Sequence, residues 1–235
     1  LRIIEDCAHA IETEYKGKKT GTFGDLGVFS FYATKNLVTG EGGMVISEDE
    51  EKISRIKMLA LHGMSKDAWK RFSDEGYKHY YVQEAGYKYN MMDIQAAIGI
   101  HQLKRIETYA KRREYVWDLY MDEFKQLPVT LSAPVEENTR HGYHLFIMLI
   151  DEDKCGITRD QFLNEMTKRN IGVGVHYLAI PQHPFYNQTY NWNPNDFPNA
   201  VSFGQQTVSI PLTAKLNDTE LERIIKSVKE VINGK

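Results

Sequence analysis

Gly21-Thr22-Phe23-Gly24-Asp25-Leu26-Gly27-Val28-Phe29-Ser30-Phe31-Tyr32-Ala33-Thr34-Lys35-Asn36, followed by Gly40-Glu41-Gly42-Gly43, is the stretch on which the fold turns. Residues 27–32 form a short apolar, aromatic-rich run between glycine-rich turns, which predicts a strand. A strand there delivers Ser30, and then Thr34 and Lys35, to its carboxyl end, where open α/β sheets place their ligands. Gly40, Gly42 and Gly43 let the backbone come close to whatever sits there. A lysine held against an apolar strand end loses solvation, so its amine is pushed toward the neutral form that attacks carbonyls. That is how a Schiff-base lysine is made. The same residues also fit a plainer description, because a lysine after a strand is commonly a solvated loop cation and glycine turns are common at strand ends.

Upstream, Leu1-Arg2-Ile3-Ile4-Glu5-Asp6 predicts a second strand, over 1–5, that ends in two acids and leads into Ala8-His9. A carboxylate at the carboxyl end of a neighbouring strand is suited to a cationic ring nitrogen, and His9 to a phenolic oxygen on the same ring. Aspartate against a pyridinium, with lysine bound to the aldehyde, is the arrangement of pyridoxal phosphate enzymes. His9 also fits a plainer description, a core histidine satisfied by backbone. The chain opens on Leu1 without a basic or apolar leader and reads as one entered midway.

Downstream, short β-rich runs alternate with helix-patterned ones, which predicts an α/β or α+β architecture. The remaining strands are expected at 43–47, 128–133, 143–151, 171–177 and 207–210. Helices are expected at 48–62 behind Ser47, at 91–126, at 158–169 behind Thr158 and at 217–233 behind Asn217 or Asp218. The long segment 91–126 predicts one helix bridging two lobes, a first at 1–125 and a smaller α+β lobe at 126–235. Segments 63–90 and 178–197, the second rich in proline and asparagine, are expected to be long functional loops. His141 and His144, three apart in an expected strand, point to opposite faces and make a poor metal pair. Asn90 precedes the long helix and suits its N-cap.

The composition removes several classes. The 235 residues are 42% hydrophobic and 26% charged with a formal net charge of −3, which suits a globular chain and provides no global basic field for nucleic acid. No apolar run reaches the 18 residues of a membrane span. Two distant cysteines, Cys7 and Cys155, fit a reducing compartment, so the cytoplasm is the expected home.

Several ordered motifs carry a resemblance over the whole chain. They are Glu5-Asp6-Cys7-Ala8-His9-Ala10, Lys18-Lys19-Thr20-Gly21-Thr22-Phe23-Gly24-Asp25, Phe29-Ser30-Phe31-Tyr32-Ala33-Thr34-Lys35-Asn36 and Gly40-Glu41-Gly42-Gly43-Met44. Further on stand Gly86-Tyr87-Lys88-Tyr89-Asn90-Met91-Met92-Asp93-Ile94-Gln95-Ala96-Ala97, His141-Gly142-Tyr143-His144-Leu145-Phe146 and Gly172-Val173-Gly174-Val175-His176-Tyr177. Together they resemble the DegT/StrS nucleotide-sugar aminotransferases. The resemblance implies a fold-type-I aminotransferase: 1–125 the carboxyl-terminal part of the large cofactor domain, with a mainly parallel or mixed sheet, and 126–235 the small α+β domain. It implies pyridoxal 5'-phosphate as cofactor, with Lys35 as its covalent anchor and proton shuttle, Asp6 on the pyridine nitrogen, His9 near the ring hydroxyl and Ser30 on the phosphate. Asn90 is implied to reach the phosphate of a partner copy's cofactor, which makes a homodimer with shared sites, and His176, Tyr177 and His183 are implied to contact the sugar. The implied reaction moves an amino group from an amino acid, glutamate, to a keto-deoxy sugar nucleotide for surface polysaccharide or glycoconjugate synthesis.

Family members carry a substantial segment ahead of the first matching motif, with strands, a phosphate turn and an aromatic over the ring. Two other functions fit the same resemblance: a pyridoxal phosphate-dependent sugar dehydratase, whose relatives carry histidine where this chain has Lys35, and a catalytically silent remnant or binding subunit.

Overall fold

The computed structural model describes residues 1–64 and 80–234. Part of the expected loop 63–90, residues 65–79, lies outside the described residues. The strands are β1 (Ile4–Asp6), β2 (Glu14–Tyr15), β3 (Lys18–Lys19), β4 (Leu26–Ser30), β5 (Gly43–Ile46), β6 (Thr130–Leu131), β7 (Thr139–Arg140), β8 (Phe146–Leu149) and β9 (Thr207–Ile210). The helices are α1 (Glu50–Ala60), α2 (Asp93–Leu103), α3 (Ile106–Phe124), α4 (Glu152–Cys155), α5 (Arg159–Lys168), α6 (Pro184–Tyr190), α7 (Pro198–Gln206) and α8 (Asp218–Ile232). They fall into two compact units, Leu1–Glu107 with Glu136–Gly142, and Thr108–Val135 with Tyr143–Lys235.

The first unit is organised by a mixed sheet in the order β1-β4-β5, with β1 parallel and β5 antiparallel to the central β4. Glycine at two positions lets the loop before β4 lie against the strand itself. Gly21 takes a φ of +86°, and a Cβ added at Gly27 meets the Gly21 Cα and carbonyl oxygen at 2.4 Å, so neither position has room for a larger residue. Phe31, Leu37 and Ile106 form a small buried core flanked by Ile11, Phe29 and Met91. A two-residue turn at Lys16-Gly17, both at positive φ, closes the β2–β3 hairpin, and β7 pairs with β2 from the other side. α1 starts at Asp49, whose carboxylate accepts from the Lys52 N–H at 3.1 Å. Ser47, just ahead of it, donates its hydroxyl to the Asp25 carbonyl at 2.7 Å and accepts the Asp49 N–H at 3.1 Å.

The second unit carries the larger core. β6, β8 and β9 form an antiparallel sheet, and every residue of β9 is buried. Phe146 on β8 packs edge-on against Trp117, Tyr120 and Phe124 of α3, at centroid separations of 4.9, 4.9 and 6.2 Å. The Tyr120 hydroxyl donates to the Pro211 carbonyl at 2.9 Å, and burial pushes this phenol well above its ordinary range. α5 and α8 begin at the expected Thr158 and Asn217. In each, the cap side chain and the side chain three residues on, Gln161 or Glu220, satisfy each other's backbone N–H.

Four expectations are corrected. Segment 91–126 is two helices, not one: the chain turns at Lys104-Arg105, and the turn brings Ile106 into the Phe31–Leu37 cluster. Segment 171–177 is not a strand. Gly174 exchanges backbone bonds with Ser209, but the His176 carbonyl is taken by the Thr207 hydroxyl instead of a ladder N–H. Residues 141–145 form no strand, so the opposite-face argument for His141 and His144 lapses. Segment 178–197 is not a plain loop, because its prolines sit at the first turns of short helices, where a missing N–H costs nothing. Among the described residues, no helix is long and apolar enough to cross a membrane.

Candidate active site

Register assembles the site in the first unit. Asp6 is the Cα partner of Val28 in the parallel β1–β4 pair, so the two side chains stand on the same face, about 5 Å apart across the strands. Ser30, two residues beyond Val28, shares that face roughly 7 Å further along. The face presents an exposed carboxylate, an apolar floor at the 37%-exposed Val28, and a half-buried hydroxyl. The chain then turns. The Lys35 N–H donates to the Tyr32 carbonyl at 2.9 Å, which sets half-buried Lys35 in the turn beyond the carboxyl end of β4. The loop returns through the Thr39 N–H to the Phe31 carbonyl (2.9 Å) and the Phe31 N–H to the Gly42 carbonyl (2.8 Å).

The opposite face is held by a residue that the sequence reading passed over. The Glu5 carboxylate accepts the backbone N–H groups of Gly21, Phe23 and Gly24 at 2.7, 2.6 and 2.6 Å. Burial opposes its charge, yet the three N–H donors outweigh it and hold the carboxyl below its ordinary range. A folded-state pKa below the unfolded one contributes stability that is full above the unfolded value and disappears as pH falls through the folded one. Glu5→Gln is therefore expected to lower the unfolding midpoint at pH 7, with the deficit shrinking as the pH drops below the ordinary carboxylate range. Denaturant titrations of both proteins from pH 7 to pH 3 check this, and a deficit independent of pH contradicts it. The signal for Glu5 was present in the sequence: an acid one residue before Asp6 and a glycine-containing loop whose backbone N–H groups an anion can accept.

The remaining predicted residues divide between the units. His9 is exposed, so it is not a core histidine. Asn90 is not the N-cap of α2, because Met92 holds that position and its N–H goes to the Gln95 side chain at 3.0 Å. Asn90 instead accepts from the Lys88 amine. His176, Tyr177 and His183 belong to the second unit, where the His176 Nδ1 meets the Ser209 hydroxyl at 2.7 Å, Tyr177 is exposed and His183 stands exposed immediately before α6.

The sequence profile of the DegT/DnrJ/EryC1/StrS aminotransferase family matches residues 1–229. The chain belongs to that family. Among curated relatives of this DegT/DnrJ/EryC1/StrS chain, the uncharacterized protein MJ1066 of Methanocaldococcus jannaschii is 47% identical over 99% of the chain and 60% of the relative. The spore coat polysaccharide biosynthesis protein SpsC of Bacillus subtilis is 43% identical over the whole chain and 60% of its own length. The chain thus spans about three-fifths of the curated relatives it matches. Among solved structures, the putative sugar aminotransferase Spr1654 from Streptococcus pneumoniae, in its PMP form, superposes with a TM-score of 0.89 at 31% identity, covering all of this chain and 59% of that one. Helicobacter pylori PseC, an aminotransferase involved in the biosynthesis of pseudoaminic acid, superposes at 0.88 and 31% over all of this chain and 60% of its own. The mixed α/β architecture of this family member is thus the aminotransferase fold-type-I arrangement that its motifs imply.

Proposed function

We propose that this chain forms the anchoring part of a sugar aminotransferase of polysaccharide biosynthesis. The observation that carries the reading is the shared sheet face of Asp6, Val28 and Ser30 with Lys35 on the turn beyond it. That donor set fits pyridoxal phosphate: an anion for a ring nitrogen, an apolar floor, a hydroxyl for a phosphate and a primary amine for an aldehyde. Pyridoxal phosphate is the cofactor, and when bound it supplies a ring that withdraws carbanionic charge.

The chain's own residues do the rest. Asp6 accepts the ring N–H and keeps the proton there. Ser30 donates its hydroxyl to the phosphate, and His9 serves the ring hydroxyl. Lys35 would hold the cofactor covalently through its Nζ, and the same amine would take and return the proton that moves during amino transfer. Lysine at this position favours amination over dehydration. Asn90 serves the phosphate in a second copy, so the working unit is a homodimer. His176, Tyr177 and His183 contact the sugar of a keto-deoxy sugar nucleotide, with glutamate as amino donor, in the cytoplasm.

The test begins with the intact protein and pyridoxal phosphate, recording the visible band, reducing with borohydride and locating the adduct by peptide mass. An adduct on Lys35, followed by formation of 2-oxoglutarate when glutamate and a keto-sugar nucleotide are added, is the expected result. An adduct elsewhere, or a deoxygenated and unaminated product, overturns the reading.

A further inference from the structure

Among the described residues of the first unit, the carboxylate of Glu12 is a buried charge-bearing group outside the reacting set. It is 1% exposed, and a carboxylate is buried at high cost unless it is hydrogen-bonded. Its Oε2 accepts from the Asn36 Nδ2 at 3.0 Å, and the same nitrogen donates to the Gly142 carbonyl at 2.7 Å. A side-chain amide has two protons on that nitrogen, and here each serves a different segment of the chain. Gly142 is in turn pressed against the segment after His9: a Cβ placed on it meets the His9 carbonyl at 2.8 Å and the Thr13 hydroxyl at 2.9 Å.

The placement in the sequence gives this node its meaning. Asn36 immediately follows Lys35, and Glu12 lies three residues after His9 and six after Asp6. One half-buried amide therefore ties the turn that carries the amine to the segment that carries the ring-binding acid and imidazole. At the two ends of that turn, Phe31 and Leu37 are buried at 6% and 3% exposure. The turn that carries Lys35 is thus bounded by an amide bonded to two distant segments and by two buried side chains. A displacement of about 1 Å at a reacting group costs roughly 100-fold in rate.

We propose that Glu12 and Asn36 are positioning residues that fix the Lys35 backbone relative to Asp6 and His9. The proposal rests on Lys35 being the residue that binds the cofactor covalently. In the intact protein, Asn36→Ala is expected to slow covalent attachment of pyridoxal phosphate to Lys35 by about 10- to 100-fold, read as borohydride-fixed Lys35 peptide against time. Retention of non-covalent cofactor is expected to change by less than about threefold, a separation that general loosening of the fold does not produce. Adding Glu12→Gln to Asn36→Ala is expected to slow attachment no further, because members of one network do not act additively. Attachment at the wild-type rate in folded Asn36→Ala, or losses that multiply in the double variant, overturns the proposal. If Asn36→Ala fails to fold, Glu12→Met removes the acceptor while filling similar space, and a wild-type attachment rate in it is equally fatal. A wild-type protein that yields no Lys35 adduct overturns the Lys35 assignment itself and the positioning role with it.

Discussion

Lys35→Ala in the intact protein is expected to abolish the borohydride-fixable adduct and lower amino-transfer turnover by about four orders of magnitude or more, the scale seen when a covalent catalytic group is removed. Its unfolding free energy is expected to stay within about 0.5 kcal/mol of wild type, because Lys35 is half-buried and the turn around it is held by its backbone N–H to Tyr32, which alanine keeps. The two readouts separate chemistry from folding. Turnover retained at the wild-type level removes Lys35 from the mechanism, whereas a collapsed midpoint assigns it a structural role.

Phe146→Ala has the largest expected effect on stability. Phe146 is fully buried and packs on Trp117, Tyr120 and Phe124, so truncation leaves a cavity among three rings. The cost of such a change is about 3–5 kcal/mol, a large part of the 5–15 kcal/mol that holds a typical domain together. The damage extends toward the candidate sugar-contacting residues. Phe146 pairs with Ile210, the next pair along is Ile147 with Ser209, and Ser209 holds the His176 ring. Denaturant unfolding, followed by the tryptophan fluorescence of Trp117, is expected to show a midpoint lowered accordingly. A loss below about 1 kcal/mol means that the cluster collapses around the gap.

Helix starts were legible where a cap and its reciprocal partner are three residues apart, as at Thr158 with Gln161 and Asn217 with Glu220. Asn90 shows the limit of that signal. It has the right residue type for a cap, yet the helix begins at Asp93 because the Met92 N–H is satisfied by Gln95, while the Gln95 amide donates to the Glu41 carbonyl at 2.8 Å across a sequence distance of 54. The prolines of 178–197 were legible as interruptions but not as helix starts. A proline signals a missing N–H, and only the surrounding packing decides whether that absence breaks a helix or opens one.

By itself, then, the sequence determined the local chemistry: a strand with Ser30 near its carboxyl end, a lysine on the turn after it, an acid closing a neighbouring strand, and a family whose motifs span 229 residues. These are legible because strand period, glycine turns and caps act over a few residues. Tertiary structure decided the rest: the register that puts Asp6 beside Val28, the glycine loop closed on Glu5, the break at Lys104-Arg105 and the Glu12–Asn36–Gly142 node, whose bonds span 24 and 106 residues. A buried carboxylate and a half-buried amide find each other only when the chain has folded and excluded the water that would otherwise satisfy them, so no short-range pattern announces the pairing.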